Sequence, residues 1–212
     1  VVGQQLGSRR VEPKITIVFD PLANSQVLQG ILKECSQQSQ PTELTLRSEI
    51  LDAGLRILLD GEADFAIAPI RGEHPEIESI PYDRPHLVPV IRKSLTEKSK
   101  PVDAHWLKKI PQIVVLQSGS AKDSKGILEG GQKYFVTDHS LKRQLIKQGL
   151  GWGRLADHEI KEELKSGELI GIRDKSIGLI SLEVHIMRHR FKPMGPIARL
   201  IWAQLLAGCR KK

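Results

Sequence analysis

The apolar positions of the chain alternate between two periods. Lys14 to Phe19 (KITIVF) is a continuous apolar run bounded by polar residues and reads as a buried strand. Asp20-Pro21 follows it as a helix start, with Asp at the N-cap and Pro at the first helical position. Leu22, Val27, Leu28, Ile31, Leu32 and Cys35 then recur at helical spacing, which predicts a helix to about Gln38 and a polar break over 37–41. Glu43 to Arg47 is a second strand. Ser48 is placed to cap a second helix over Glu49 to Asp60, with Leu51, Leu55, Leu58 and Leu59 on its apolar side and Gly61 at its end. Asp64 to Pro69 (DFAIAP) is a third strand. Strand, helix, strand, helix, strand predicts a parallel, doubly wound sheet with right-handed crossovers.

The rest of the chain repeats this grammar. Ile77 to Tyr82 and His86 to Ile91 read as strands broken by Asp83-Arg84-Pro85, and the stretch to Arg92 is long enough to pass from one lobe into another. A short helix over Asp103 to Ile110 turns Trp106 and Leu107 inward, and Gln112 to Leu116 is again a buried strand. After the polar, Gly-rich residues 117–132 come a strand (Lys133 to Val136), a helix (Ser140 to Gln148) stopped by Gly149, and a strand (Gly151 to Leu155). Asp157 caps a helix to Lys165. Leu169 to Ile172 and Ile177 to Arg188 are strands, the second returning to the first lobe. Pro196 to Leu206 closes the chain as a helix with Ile197, Leu200, Ile201, Leu205 and Leu206 on one face.

The expected architecture is therefore α/β: two doubly wound lobes joined by a two-strand hinge. Lobe I takes residues 14–89 and 187–208, lobe II residues 90–186, with crossings near 88–92 and 185–189. Residues 1–13 read as the end of a linker and 209–212 as a tail. Open α/β sheets bind ligands outside the carboxyl ends of their strands. Two such lobes predict a ligand cleft between them that closes by a hinge motion.

Composition narrows the function classes. Hydrophobic residues make up 40% and aromatics only 4% of 212 residues, so the cores must be aliphatic. No apolar run is long enough to cross a membrane, and Val1 to Arg10 lacks the pattern of a signal peptide. The chain also lacks an initiator Met and reads as a segment of a longer protein. The net charge of +7 is spread among acids, with one dense run at Arg210-Lys211-Lys212. There is no helix-turn-helix pattern and no stacking aromatic platform, so direct nucleic-acid binding by this segment is not expected. Cys35 and Cys209 read as free thiols. His185 and His189 are spaced as a zinc pair would be on a helix, but they lie in a predicted strand, so no metal and no cofactor is expected. Nucleophile-elbow, phosphate-loop and metalloprotease motifs are absent. Gly149-Leu150-Gly151-Trp152-Gly153 follows a helix and enters a strand, the reverse of a dinucleotide site. Ser118-Gly119-Ser120 with His139 is the one arrangement that suggests an enzyme, a small hydrolase.

Four segments, in order, resemble the effector-binding domain of LysR-type transcription regulators, which shares the type 2 periplasmic-binding-protein fold. They are KITIVFDPLANSQVLQGILKEC, ELTLRSEILDAGLRILLDGEADFAIAP, LIKQGLGWGRLADHEIKEELKSGELIGI and KPMGPIARLIWAQLL, within residues 14–206. The resemblance implies a cytoplasmic, non-catalytic sensor of a small-molecule effector. It also implies homodimers or tetramers formed through these domains, with the first helix (22–35) in the interface. DNA would be bound only through an N-terminal winged helix-turn-helix that these residues do not include. An extracytoplasmic solute-binding protein of the same fold is the alternative.

The strand-end loops supply the candidate site. On lobe I these are Asp20, Leu22, Ala23 and Asn24 after the first strand, Ser48, Glu49 and Ile50 after the second, and Arg71 after the third. In the family the first turn often offers hydroxyl and N–H groups to an effector carboxylate. Here Asp20 and Glu49 add negative charge and Pro21 removes a donor, so a cationic or hydroxylated group fits lobe I better. On lobe II, Ser118, Ser120, Lys122, Thr137, Asp138 and His139 could hold an anionic group.

Overall fold

The computed structural model describes residues 12–38, 42–50, 52–70, 72–96, 101–116 and 126–209. The chain divides into two compact units, Val1–Asp83 with Glu183–Lys212, and Arg84–Leu182.

The first unit contains β1 (Lys14–Phe19), α1 (Gln26–Ser36), β2 (Glu43–Ser48), α2 (Ala53–Leu59), β3 (Phe65–Pro69), β4 (Ile77–Asp83), β11 (Val184–His189) and α6 (Pro196–Cys209). Its sheet runs in the order β2-β1-β3-β11-β4. β1 pairs in parallel with β2 and β3, and β11 is antiparallel to β3 and β4. The pleat sends alternate residues to opposite faces. Ile15 and Ile17 of β1 meet α1 and α6 on one face, together with Phe65, Ile67 and Ile186. Val18, Ala66, Ala68 and Met187 meet α2 on the other. Trp202 of α6 stacks on Phe65 with ring centroids 5.9 Å apart.

The second unit contains β5 (His86–Arg92), α3 (Ala104–Leu107), β6 (Gln112–Val115), β7 (Lys133–Val136), α4 (His139–Lys147), β8 (Trp152–Ala156), α5 (Lys161–Ser166), β9 (Leu169–Gly171) and β10 (Ile180–Ser181). The sheet order is β10-β5-β8-β6-β7, with β9 also on β5. Ile146 of α4 and Ile160 pack with Val90, Ile113 and Leu155 on one face. Leu107 and Ile177 pack with Ile91 and Trp152 on the other. β8 therefore sends Gly153 and Leu155 toward α4, and Trp152 and Arg154 the opposite way.

The α/β reading holds, while several boundaries move for identifiable reasons. α1 begins at Gln26 with Ser25 at its N-cap position, not at Asp20-Pro21, because residues 20–24 are held in a separate turn described below. Ser48 is the last residue of β2 rather than a cap, since β2 stays in register with β1 to Phe19↔Ser48. The N-cap of α2 is Asp52. The long strand expected over Ile177 to Arg188 is three pieces: a 3-10 turn (Lys175–Ile177), β10 and β11. The chain passes from one unit to the other between Leu182 and Glu183, within that expected strand. All of β5 pairs within the second unit's sheet, and the other division falls at Asp83/Arg84, just before Pro85, which has no N–H to donate.

The Gly149–Gly153 segment explains itself through packing. Gly149 has φ +77° and ends α4 in a conformation that favours glycine. A Cβ on Gly151 would lie 2.5 Å from the Pro111 carbonyl oxygen, and one on Gly153 2.7 Å from that of Ile113. These glycines let α4 and β6 approach β8.

Candidate functional site

In the first unit the loops after β1 and β2 are tied to the carboxyl end of the sheet by backbone bonds. The Asp20 N–H donates to the Ile67 carbonyl at 2.7 Å, and the Glu49 N–H donates to the Phe19 carbonyl at 3.0 Å. Asp20, Leu22, Ala23, Asn24, Ser48, Glu49 and Ile50 are thus gathered at one sheet edge, as the strand-end rule requires. Arg71 lies outside the described residues.

What these side chains do differs from residue to residue. Asp20 is fully buried, and its Oδ1 accepts from the Leu22 N–H at 2.8 Å while its carbonyl accepts from Ala23 N–H at 2.9 Å. This is an aspartate-stabilised turn, not a helix cap, and its carboxylate faces the chain's own backbone. Leu22 and Ala23 are 2% and 6% exposed, so their side chains belong to the core. Asn24 ties the turn to β4: its N–H donates to Asp83 Oδ2 at 3.1 Å and its carbonyl accepts from the Tyr82 hydroxyl at 2.8 Å. Burial, reinforced by the Asp83 charge, pushes the Tyr82 phenol up to about 12, so it keeps the proton it donates. Ser48 is exposed. Glu49 is paired with Arg47 at 2.7 Å, and Arg47 also reaches Glu62 at 3.2 Å.

In the second unit β6 and β7 run in parallel and end together, the Leu116 N–H donating to the Val136 carbonyl at 2.8 Å. Thr137 and Asp138 are exposed. Asp138 caps α4, its Oδ1 accepting from the Leu141 N–H at 2.6 Å. His139, the first residue of α4, is half-buried, and among the described residues its Nε2 has no hydrogen-bond partner. Burial, and then the nearby Lys142 charge, lower its imidazole to about 4 against a weaker pull from Asp138. Ser118, Ser120 and Lys122 lie outside the described residues.

Lys142 was not marked by sequence pattern. It is only 7% exposed, and burial followed by the Arg154 charge brings its ammonium down to about 8. Its carbon stem lies against Gly153 of β8. Its spacing of four from the buried Ile146 puts it on the apolar stripe of α4, and that spacing is the signal that could have found it.

The arrangement offers hydroxyl and backbone donors, a neutral imidazole and a buried lysine that stays mostly charged at neutral pH. It does not assemble a relay: the Asp138 carboxylate serves the helix backbone, and an imidazole titrating near 4 is a weak general base at neutral pH. Among the described residues no group of three His, Cys, Asp or Glu side chains could hold a metal. Among them, too, no helix is long and apolar enough to cross a membrane.

Comparison with known proteins points one way. The family described as the LysR substrate binding domain matches residues 8–210. No curated protein matches the chain in sequence. Among solved structures the chain is similar to the bromide-bound regulatory domain of HypT from Salmonella typhimurium, with TM-score 0.69 and 18% identity over 93% of this chain and 96% of that one. It is similar to ArgP from Mycobacterium tuberculosis, with TM-score 0.69 and 18% identity over 94% of this chain and 67% of that one. It is also similar to full-length LysG from Corynebacterium glutamicum, with TM-score 0.68 and 22% identity over 92% and 67%. Such identities speak for the fold alone, the type 2 periplasmic-binding-protein-like arrangement of two sheets. With the family match across nearly the whole chain, the protein belongs to the LysR substrate-binding domain family, the effector-sensing module of LysR-type transcription regulators.

Proposed function

We propose that the chain binds a small-molecule effector through its strand-end loops, without turnover, and passes the signal on through pairing of its domains. The observation that carries this reading is the family match over 8–210, joined to the gathering of residues 20–24 and 48–50 at one sheet edge. The first-unit contacts are the backbone of Asp20, Leu22, Ala23 and Asn24 with Ser48, Glu49, Ile50 and Arg71. The second-unit contacts are Ser118, Ser120, Lys122, Thr137, Asp138 and His139. Thr137, His139 and the ammonium of Lys142 favour an anionic group on the effector. The two compact units, Val1–Asp83 with Glu183–Lys212 and Arg84–Leu182, are the proposed division of labour.

The longer protein binds DNA through a separate N-terminal domain and works in the cytoplasm as a dimer or tetramer. Relatives of the fold support this: DarR from Vibrio fischeri is solved with DNA, and LysG is solved with arginine as bound effector. Leu32, 43% exposed on α1, is an apolar residue available to such pairing. The test is a thermal-shift screen of metabolites, amino acids included, followed by titration against Thr137→Ala and Ser48→Ala variants. A true effector raises the melting temperature of the native chain and binds each variant at least about tenfold more weakly.

A further inference from the structure

We infer that the second unit holds a separate ligand site, on the face of its sheet opposite α4, for a small monoanion with an apolar body. A cavity of about 460 Å³ opens there beside β8. It lies wholly within the second unit. Its polar wall is made by Trp152 and Arg154, which β8 sends to this face. Its apolar wall is made by Ile127, Leu128, Ile177 and Leu179.

Three observations point to a ligand rather than to packing alone. The Trp152 side chain is 1% exposed, and among the described residues its indole N–H has no acceptor. A buried donor left without an acceptor is destabilising, and an oxygen brought to it relieves that penalty. The Arg154 Nε is likewise buried, without a partner among the described residues. Nη1 of Arg154 donates to the Gly126 carbonyl and Nη2 to the Gly178 carbonyl, so the guanidinium is held in place by two neutral acceptors. Among the described residues no carboxylate forms an ion pair with it. Glu129 stands exposed on the rim and makes no ion pair with Arg154. Burial of this uncompensated cation lowers its affinity for the proton. A positioned guanidinium without a counter-ion among the described residues, two positions along the same face of β8 from an orphaned indole N–H, gives the donor pair that a carboxylate accepts. The surrounding aliphatic side chains suit the ligand's apolar remainder, and a cavity of this size matches small-molecule sites.

The experiment follows the three tryptophan indole N–H resonances of the 212-residue chain by two-dimensional NMR, with Trp152 assigned by a Trp152→Phe variant. Phenylacetate is the probe, and phenylacetamide is its uncharged control. Phenylacetate shifts the Trp152 resonance saturably, and phenylacetamide does so at least about tenfold more weakly. Arg154→Met removes the saturable shift. So does Leu179→Glu, which puts a carboxylate at the mouth of the cavity from a residue 62% exposed and leaves the melting temperature unchanged. If Arg154→Met does not fold, Leu179→Glu alone decides. No shift with phenylacetate, an equal response to the amide, or a shift that persists in Leu179→Glu overturns the proposal. Neither variant touches residues 137–139, so effector binding at the strand-end loops stands or falls separately.

Discussion

Arg47 and Glu49 form a 2.7 Å ion pair one residue either side of the last position of β2. The pair neutralises, within its own loop, a carboxylate that would otherwise repel an anionic effector. The second acid at this edge, Asp20, is turned to the Leu22 N–H. Negative charge in the first-unit loops is therefore committed to local structure.

The two acids should respond differently to neutral replacement. Asp20→Ala deprives a buried N–H of its acceptor, and is expected to lower unfolding stability by about 1–3 kcal/mol. Glu49→Gln removes an ion pair whose side chains are 43% and 28% exposed, and is expected to change it by less than about 1 kcal/mol. Urea denaturation of the two variants measures both.

Acid should act first through His139. Its folded imidazole titrates at about 4, below the ordinary 6.5. The unfolded chain therefore binds the proton that the folded one refuses, and stability falls as pH drops from 6.5 toward 4. His185, lowered by burial, adds in the same direction. The His139 contribution is bounded by the shift at about 3 kcal/mol. Melting temperature against pH should be flatter in His139→Gln over that window, and parallel to the native curve above pH 7.

Glu163 governs a lower window. Burial alone would raise its pKa, but hydrogen bonds from Lys147 and Arg143, at 2.8 and 2.6 Å, hold it at about 2. Its stabilisation is present above 4.5 and is lost as pH falls through 2. Glu163→Gln is expected to lower stability at pH 7 by roughly 1–3 kcal/mol, since it leaves two half-exposed cations facing each other. A urea titration at pH 7 checks this.

Much of the fold was legible because burial and period coincide. KITIVF is apolar, flanked by polar residues, and is β1 to the residue. The start of α1 was not, because Asp-Pro is equally a cap and a turn, and only the Asp20–Leu22 contact decides between them. The candidate loops were legible as strand ends. Lys142 and Arg154 were not, because a cation in sequence reads as solvent-facing, and only the packing of α4 and of β8 takes them inside. Gly151 and Gly153 were legible as strand residues, but only packing shows that they are contact points between elements.

Those contacts make a further prediction. Gly151→Ala places a methyl group 2.5 Å from the Pro111 carbonyl and should lower stability by roughly 2 kcal/mol or more. Gly149→Ala meets only side-chain atoms at 3.4 Å or beyond, and should cost about 1 kcal/mol for its left-handed backbone. Thermal melts of the pair order them.

The central claim is that the strand-end loops sense a small molecule, and a metabolite-wide thermal-shift screen tests it most directly. At a hundredfold excess over Kd, a ligand that binds only the folded form stabilises by about 2.7 kcal/mol. That corresponds to a rise on the order of 5 °C for a chain of this size, reduced or lost in Thr137→Ala and Ser48→Ala. A panel that produces no shift, or a shift that both variants retain in full, would contradict the account.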